Sequence, residues 1–303
     1  MPRPRRFPLA RTRGCALDRR MADPQQLTAP QARDRHAELA AEIARHDALY
    51  HAEDAPEISD AQYDALRREL LALEAAHPAL AAEGPSTRVG AAPSSQFAPV
   101  RHGVPMLSLD NAFDEGEAHD FAARVARFLK LSAEEPVAFV AEPKIDGLSA
   151  SLRYEKGVLV RGATRGDGKT GEDITANLRT LAEIPERLSG DGWPEVIEVR
   201  GEVYVSNADF EAFNQAAVEA GSRTYANPRN FAAGSLRQKN PEISRARPLR
   251  FFAYAWGEVS GDFAETQWEA LRKLGAWGFP VNDRAERVED DQGLIAIYRG
   301  LER

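Results

Sequence analysis

The hexapeptide Glu142-Pro-Lys144-Ile-Asp146-Gly147 sets an amine between two carboxylates and ends on a glycine. A lysine flanked this way is often only a surface ion-pair cluster. Here an apolar run, Val137–Val140, leads straight into it and carries it toward the core. A partly buried lysine sheds its proton more readily and becomes a nucleophile. Gly147 permits close backbone approach by a ligand. Lys-x-Asp-Gly alone is a weak signal, so its neighbours must decide what it means.

A second segment, Gly162-Ala-Thr-Arg165-Gly-Asp-Gly-Lys169-Thr170, imitates a phosphate-binding loop. That loop requires four residues between its first glycine and the Gly-Lys pair, and Ala163 stands where the glycine must be. These glycines are expected instead to shape a tight turn that presents Arg165.

The elements that would position these residues follow from periodicity. Thr28 with Gln31 and Ser59 with Gln62 form capping-box patterns, and Leu39, Ile43 and Tyr50 then mark one helical face. Tyr63, Leu66, Leu70 and Leu73 mark another, closed by His77-Pro78. The acidic link Ala52–Ile58 is short, which predicts a helical hairpin. A Pro/Ser/Gly-rich stretch, Gly84–Pro99, reads as a boundary. Beyond it comes a helix started by Asp114 with Glu117, and then period two takes over. Val137–Val140 predicts a strand, and Leu148–Tyr154 with Val158–Ala163 a hairpin about Glu155-Lys156-Gly157. Val196–Val205 and Leu249–Trp256 predict further strands, and Ala208–Ala220 and Glu265–Trp277 helices. Ile174–Leu181 also has a helical pattern. Hairpins mixed with helices predict an α+β fold with antiparallel sheet.

Composition bounds the function classes. A chain of 303 residues suggests about two domains, and 43% hydrophobic residues permit a sizeable core. Cys15 is the only cysteine, which excludes a disulfide scaffold and a four-cysteine zinc module within this chain. No apolar run approaches the ~18 residues of a spanning helix, so no membrane role is expected. A net charge of −8 disfavours wrapping nucleic acid by bulk charge but leaves room for a local basic patch. Residues 1–26 hold seven arginines and read as a disordered basic tail, with Met21 as an alternative start. Pro2, Pro4 and Pro8 and the absence of serines speak against a transit peptide, and the expected location is cytoplasmic.

The wider pattern resembles the nucleotidyltransferase family of ligases and capping enzymes, and among them the NAD-dependent bacterial DNA ligases. Seven blocks carry the resemblance in one order: Leu49–His51, Asp60–Asp64, Pro105–Asn111, Glu142–Gly147, Ala163–Gly168, Val199–Val203 and Ala226–Arg237. The resemblance implies an NMN-binding helical domain over 27–97 and an adenylation (nucleotidyltransferase) domain over 98–303. The latter would have the mixed, largely antiparallel, ATP-grasp-like ligase core, incomplete at its C-terminal end. It implies that Lys144 attacks the α-phosphate of NAD, with Asp146 near the ribose and Mg²⁺. The AMP would then pass to the 5′-phosphate of a DNA nick in replication and repair. Glu142 would meet the adenine edge and Glu202 the ribose hydroxyls, since amino and hydroxyl donors need acceptors. Arg165 would lie along the nucleotide, and Ser108 and Leu109 would line the adenine pocket. Arg229 and Arg237 would contact DNA phosphates.

Tyr50, His51, Asp60, Ala61, Gln62, Tyr63 and Asp64 would hold the nicotinamide half. Their alternative role is hairpin core and capping. The family's Asp-Gly-Val-Val-x-Lys motif and a later lysine motif do not occur in these 303 residues. The resemblance therefore implies the N-terminal part of such a ligase, acting as a monomer, with zinc confined to the missing part and with AMP transfer by these 303 residues impaired for want of the two lysine motifs. Two alternatives stay open: an ATP-dependent RNA ligase or capping-type enzyme, and a non-catalytic NAD-binding fragment.

Overall fold

The computed structural model describes residues 24–51, 57–81, 97–109, 111–132 and 135–301. Residues 1–23 of the basic tail, the Ala52–Pro56 part of the acidic link and most of the Gly84–Pro99 stretch lie outside them, while the tail's last residues, Pro24–Gln26, form a 3-10 turn rather than the disordered chain expected. The chain divides into two compact units, one of residues 1–44 and 60–86, the other of residues 45–59 and 87–303.

The first unit is helical. Helices α1 (Ala29–His51), α2 (Asp60–Ala76) and α3 (Pro78–Ala81) contribute Ala32, Leu39, Ile43, Leu70, Leu73 and Leu80 to one buried cluster. Leu39, Ile43, Leu70 and Leu73 of the apolar faces read from sequence are thus packed, and the Tyr50 side chain lies outside the description. Tyr63 and Leu66 pack partly against it. Pro78 lacks an amide proton, so α2 stops before it and the chain restarts as α3. At the start of α1 the Gln31 side chain accepts from the Thr28 amide at 3.0 Å, which is half of the expected capping box. His36 Nε2 lies 3.0 Å from Glu74 Oε1, and both are buried, so each polar group answers the other.

The second unit runs β1 (Pro99–Arg101), α4 (Glu115–Leu129), β2 (Phe139–Ala141), β3 (Leu148–Glu155), β4 (Val158–Thr164), β5 (Thr170–Glu172) and α5 (Thr175–Leu178). It continues with β6 (Val196–Tyr204), α6 (Asn207–Glu219), α7 (Pro228–Leu236), α8 (Pro241–Arg245), β7 (Arg250–Val259), α9 (Gln267–Ala276), β8 (Glu286–Val288) and α10 (Asp291–Leu301). Its main sheet has the order β4-β3-β6-β7, antiparallel throughout. Pairs β1-β5 and β2-β8 are short antiparallel ribbons. The β3–β4 hairpin turns at Lys156 (φ 51°) and Gly157 (φ 73°). Two left-handed residues suit a turn that follows strand twist. Helix α4 begins where expected, with Asp114 accepting from the Glu117 amide at 2.8 Å.

Strict alternation divides the sheet into two faces. Ala150, Leu152 and Tyr154 of β3 and Ile197, Val199 and Val203 of β6 enter the core, together with Phe251, Leu274 and Trp277. Ser149, Ser151 and Arg153 of β3 stand opposite Glu202, Arg200 and Glu198 of β6 on the other face. Period two therefore gives this sheet one oily side and one polar side.

Two readings need correction. The helical pattern at Ile174–Leu181 yields only one turn, Thr175–Leu178. Its apolar residues Ile174, Leu178, Leu181 and Ile184 instead plug the core as an irregular strap. The strand expected at Val137–Val140 starts two residues later, because its partner β8 is three residues long.

Candidate functional site

The polar face gathers the chemistry. Loop 142–147 joins β2 to β3, so Lys144 and Asp146 hang at the entry to β3. Gly147 is buried because β6 passes against it. An added Cβ would lie 3.0 Å from Glu202 Cγ and would overlap the carbonyl of Val203.

Glu202 is 7% exposed and accepts from Ser149 Oγ at 2.8 Å. Burial pushes its carboxyl up from the ordinary glutamate range, against the Ser149 hydrogen bond and the nearby charges of Arg229, Lys144 and Arg165. The charges of Arg229, Lys144 and Arg165 thus all act on this carboxylate in one direction, and burial outweighs them. Arg165 is half-buried, and desolvation, then the like charge of Arg229, hold its guanidinium below the usual arginine range. Arg229, in the first turn of α7, has Nη1 4.0 Å from Asp146 Oδ1.

Glu142 is half-buried, and burial pushes its carboxyl up. Gln267, the first residue of α9, reaches it at 3.5 Å and donates to the Tyr254 carbonyl at 2.6 Å.

Lys144 is exposed, not partly buried as the leading apolar strand implied. Strand β2 ends at Ala141, and three residues of loop release the side chain from the core. Burial is therefore not what prepares its amine.

Arg165 sits on the tight turn expected of the glycines. Gly166 (φ 58°) and Gly168 (φ 86°) adopt left-handed backbone, and Asp167 accepts from the amides of Lys169 and Thr170 at 2.9 and 2.7 Å. The rejected phosphate loop is thus a hairpin-like turn between β4 and β5.

The remaining predicted residues lie on other elements. Ser108 and Leu109 are exposed, Leu109 at 78%. Arg237 caps the end of α7 and is half-buried. In the helical unit, Ala61, Gln62, Tyr63 and Asp64 form the first turns of α2. Tyr50 and His51 end α1 and Asp60 begins α2, but their side chains lie outside the description. Among the described residues no group of three His, Cys, Asp or Glu could hold a metal ion. The described residues thus offer Mg²⁺ no ready-made cage of three such ligands.

Sequence reasoning missed Ser149, Tyr254 and Gln267. Tyr254 is half-buried, its hydroxyl pushed up first by burial and then by Glu202, and it bonds Ser149. Register explains the omission. Arg200 pairs with Ala255 and Gly201 with Ala253, which leaves Tyr254 as the extra residue of a bulge. A bulge re-aims a side chain that alternation would misplace.

The family model described as "NAD-dependent DNA ligase adenylation domain" matches residues 94–303. A second, "DNA ligase-like, N-terminal NAD+-binding domain", matches residues 29–90. The chain belongs to the NAD-dependent DNA ligase family. Similar proteins include the DNA ligase of Caulobacter vibrioides strain NA1000 / CB15N, 64% identical over 91% of this chain and 36% of that ligase. The Phenylobacterium zucineum ligase is 60% identical over 93% of this chain and 41% of its own length. That of Methylobacterium radiotolerans is 58% identical over 91% and 34%. The chain therefore spans about a third to two-fifths of the curated ligases it matches. Lys144, Glu142, Arg165, Glu202 and Arg229 all fall within the adenylation-domain match.

Proposed function

We propose that this chain is the NMN-binding and adenylation portion of an NAD-dependent DNA ligase. The observation that carries the reading is the passage of the Lys144 loop, at Gly147, against buried Glu202, which Ser149 holds at 2.8 Å, with Arg229 4.0 Å from Asp146. In the reaction, the neutral Lys144 amine attacks the α-phosphorus of NAD. A phosphorus–nitrogen bond forms, the bridging phosphorus–oxygen bond breaks, NMN leaves with that oxygen, and the amine gives up a proton. Arg165 and Arg229 oppose the charge that grows on the phosphoryl oxygens. Glu202 and Ser149 accept from ribose hydroxyls, and Glu142 meets the adenine amino group.

The AMP then passes to a 5′-phosphate at a DNA nick, where a 3′-hydroxyl displaces it and seals the strand. Arg229 and Arg237 serve the DNA phosphates. Residues 27–97, with Tyr50, His51 and Asp60–Asp64, take the nicotinamide half, and residues 98–303, with Ser108 and Leu109 against adenine, take the AMP half. The core is the antiparallel sheet of a nucleotidyltransferase. The protein works in solution as a monomer; no described helix is long and apolar enough to cross a membrane.

Intact-mass analysis after incubation with NAD or ATP tests this. Gain of one AMP from NAD, mapped to Lys144, is the expected result. An adduct from ATP alone, or on another residue, would overturn it.

A further inference from the structure

One segment bridges the two walls of the site. Strand β1 pairs with β5, and past it His102 donates its amide to the Lys169 carbonyl at 3.0 Å. Met106 donates its own to the Gly168 carbonyl at 2.8 Å. The buried His102 ring has Nε2 3.1 Å from the carbonyl oxygen of Arg165. A carbonyl can only accept, so this nitrogen carries the proton and donates. Segment 102–106 is thus fastened to the turn that presents Arg165.

The other fastening comes from β6. Arg200, two residues before Glu202 and on the same face, donates from Nη1 to the Pro105 carbonyl at 3.1 Å and from Nη2 to that of Val104. Arg200 is 9% exposed, and the acid it pairs with, Glu198, is 3.7 Å away. Gly257 leaves the room for it, since a Cβ there would lie 2.6 Å from Nη2. Burying a guanidinium against so long an ion pair is a poor way to gain stability, because desolvation offsets the attraction. Its Nε has no partner in the structure, so the two carbonyls are what the side chain is placed to hold.

We infer that Arg200 and His102 are positioning residues for the nucleotide. Together they clasp segment 102–106 between the Arg165 turn and β6, and so fix the spacing of Arg165, Glu202 and the Ser108–Leu109 stretch. This rests on the nucleotide site proposed above and names two residues through which that site is held.

Two readouts test the clasp. The first is single-turnover AMP transfer over a range of NAD concentrations. Arg200→Met and His102→Leu each remove a charge-assisted or buried hydrogen bond, and should raise the half-saturating NAD about tenfold or more with little change in limiting rate. His102→Gln keeps a donor for the Arg165 carbonyl and should restore most of the loss. A purely structural role would not separate Leu from Gln in this way. Should Arg200→Met fail to fold, Arg200→Lys carries the test: it keeps the charge, reaches one carbonyl, and should fall between. The second readout is amide hydrogen exchange without nucleotide, where Arg200→Met should speed exchange across both 103–109 and 166–169.

Unchanged half-saturation, a loss confined to the limiting rate, equal behaviour of Leu and Gln, or unchanged exchange would each overturn the inference. The underlying site reading fails separately, if an AMP adduct survives in Lys144→Ala. If the parent chain forms no adduct, calorimetric NAD affinity supplies the same comparison.

Discussion

Replacing Gly147 by alanine tests whether the nucleophile is aligned by the close passage of its loop over β6. The new Cβ would sit 3.0 Å from both Glu202 Cγ and the Val203 carbonyl carbon, and would overlap the Val203 oxygen. Two of these three atoms are backbone of Val203, which is paired with Leu148 on one side and Phe251 on the other, so they cannot swing aside. The loop must therefore lift, by on the order of 1 Å to regain ordinary contact. Overpacking of this kind typically costs about 1–3 kcal/mol of stability. The chemical cost is larger, because a displacement of ~1 Å at a reacting group can slow a reaction about 100-fold. The assay is the rate of AMP addition to Lys144 at saturating NAD, beside urea unfolding of the same preparations. A rate within about threefold of the parent, well inside that ~100-fold, would refute the argument that this contact aligns Lys144. A rate loss with no fall in the unfolding midpoint would show that the loop yields more cheaply than the packing implies.

Other outcomes follow from the same geometry. Lys144→Ala should abolish the AMP adduct while leaving the unfolding midpoint near that of the parent, since the side chain is exposed; Lys169→Ala, on the β4–β5 turn, should leave adduct formation largely intact. Because burial raises the Glu202 pKa, that carboxylate takes up its proton at a higher pH than an ordinary glutamate as pH falls. NAD affinity should thus fade on acidification above the usual range of ~4.3, and Glu202→Gln should remove that limb, measured by calorimetry across pH. The same raised pKa means that the buried charge opposes folding above the unfolded-state value, so Glu202→Gln should not destabilise at neutral pH, and its effect should vanish in acid. Tyr154→Phe loses a 2.6 Å hydrogen bond to the Pro185 carbonyl and should cost about 1 kcal/mol by urea unfolding, with adduct formation unchanged.

Much of the scaffold was legible because period two is a strong signal in β3 and over Ile197–Val203 of β6, where core-facing and polar residues alternate. The Lys156-Gly157 turn was legible for the same reason that it is favourable, since glycine tolerates the left-handed region. Short elements were not legible. Strands β1, β5 and β8 have three residues each and exist through pairing with distant partners, which no local pattern records. Helix α7 was also missed. Its residues Asn230 to Ala233 are buried all round, so it lacks the amphipathic stripe that marks a surface helix.

At the site, the split between what could and could not be read has a physical cause. Lys144, Glu142, Arg165, Glu202 and Arg229 are groups whose chemistry is unusual enough to stand out in a chain. Ser149, Tyr254, Gln267, Arg200 and His102 are ordinary polar residues, which matter because of where a bulge or a strand pairing sends them. Gly201 shows how the two classes depend on each other. It separates Arg200 from Glu202 on β6, and its missing side chain lets the ring of Phe251 close against the strand from the core side. A larger residue there would push the core away from the sheet, and the two polar neighbours would move with it. The oily face and the reactive face are the two sides of one strand, so packing on the first sets the spacing of charge on the second.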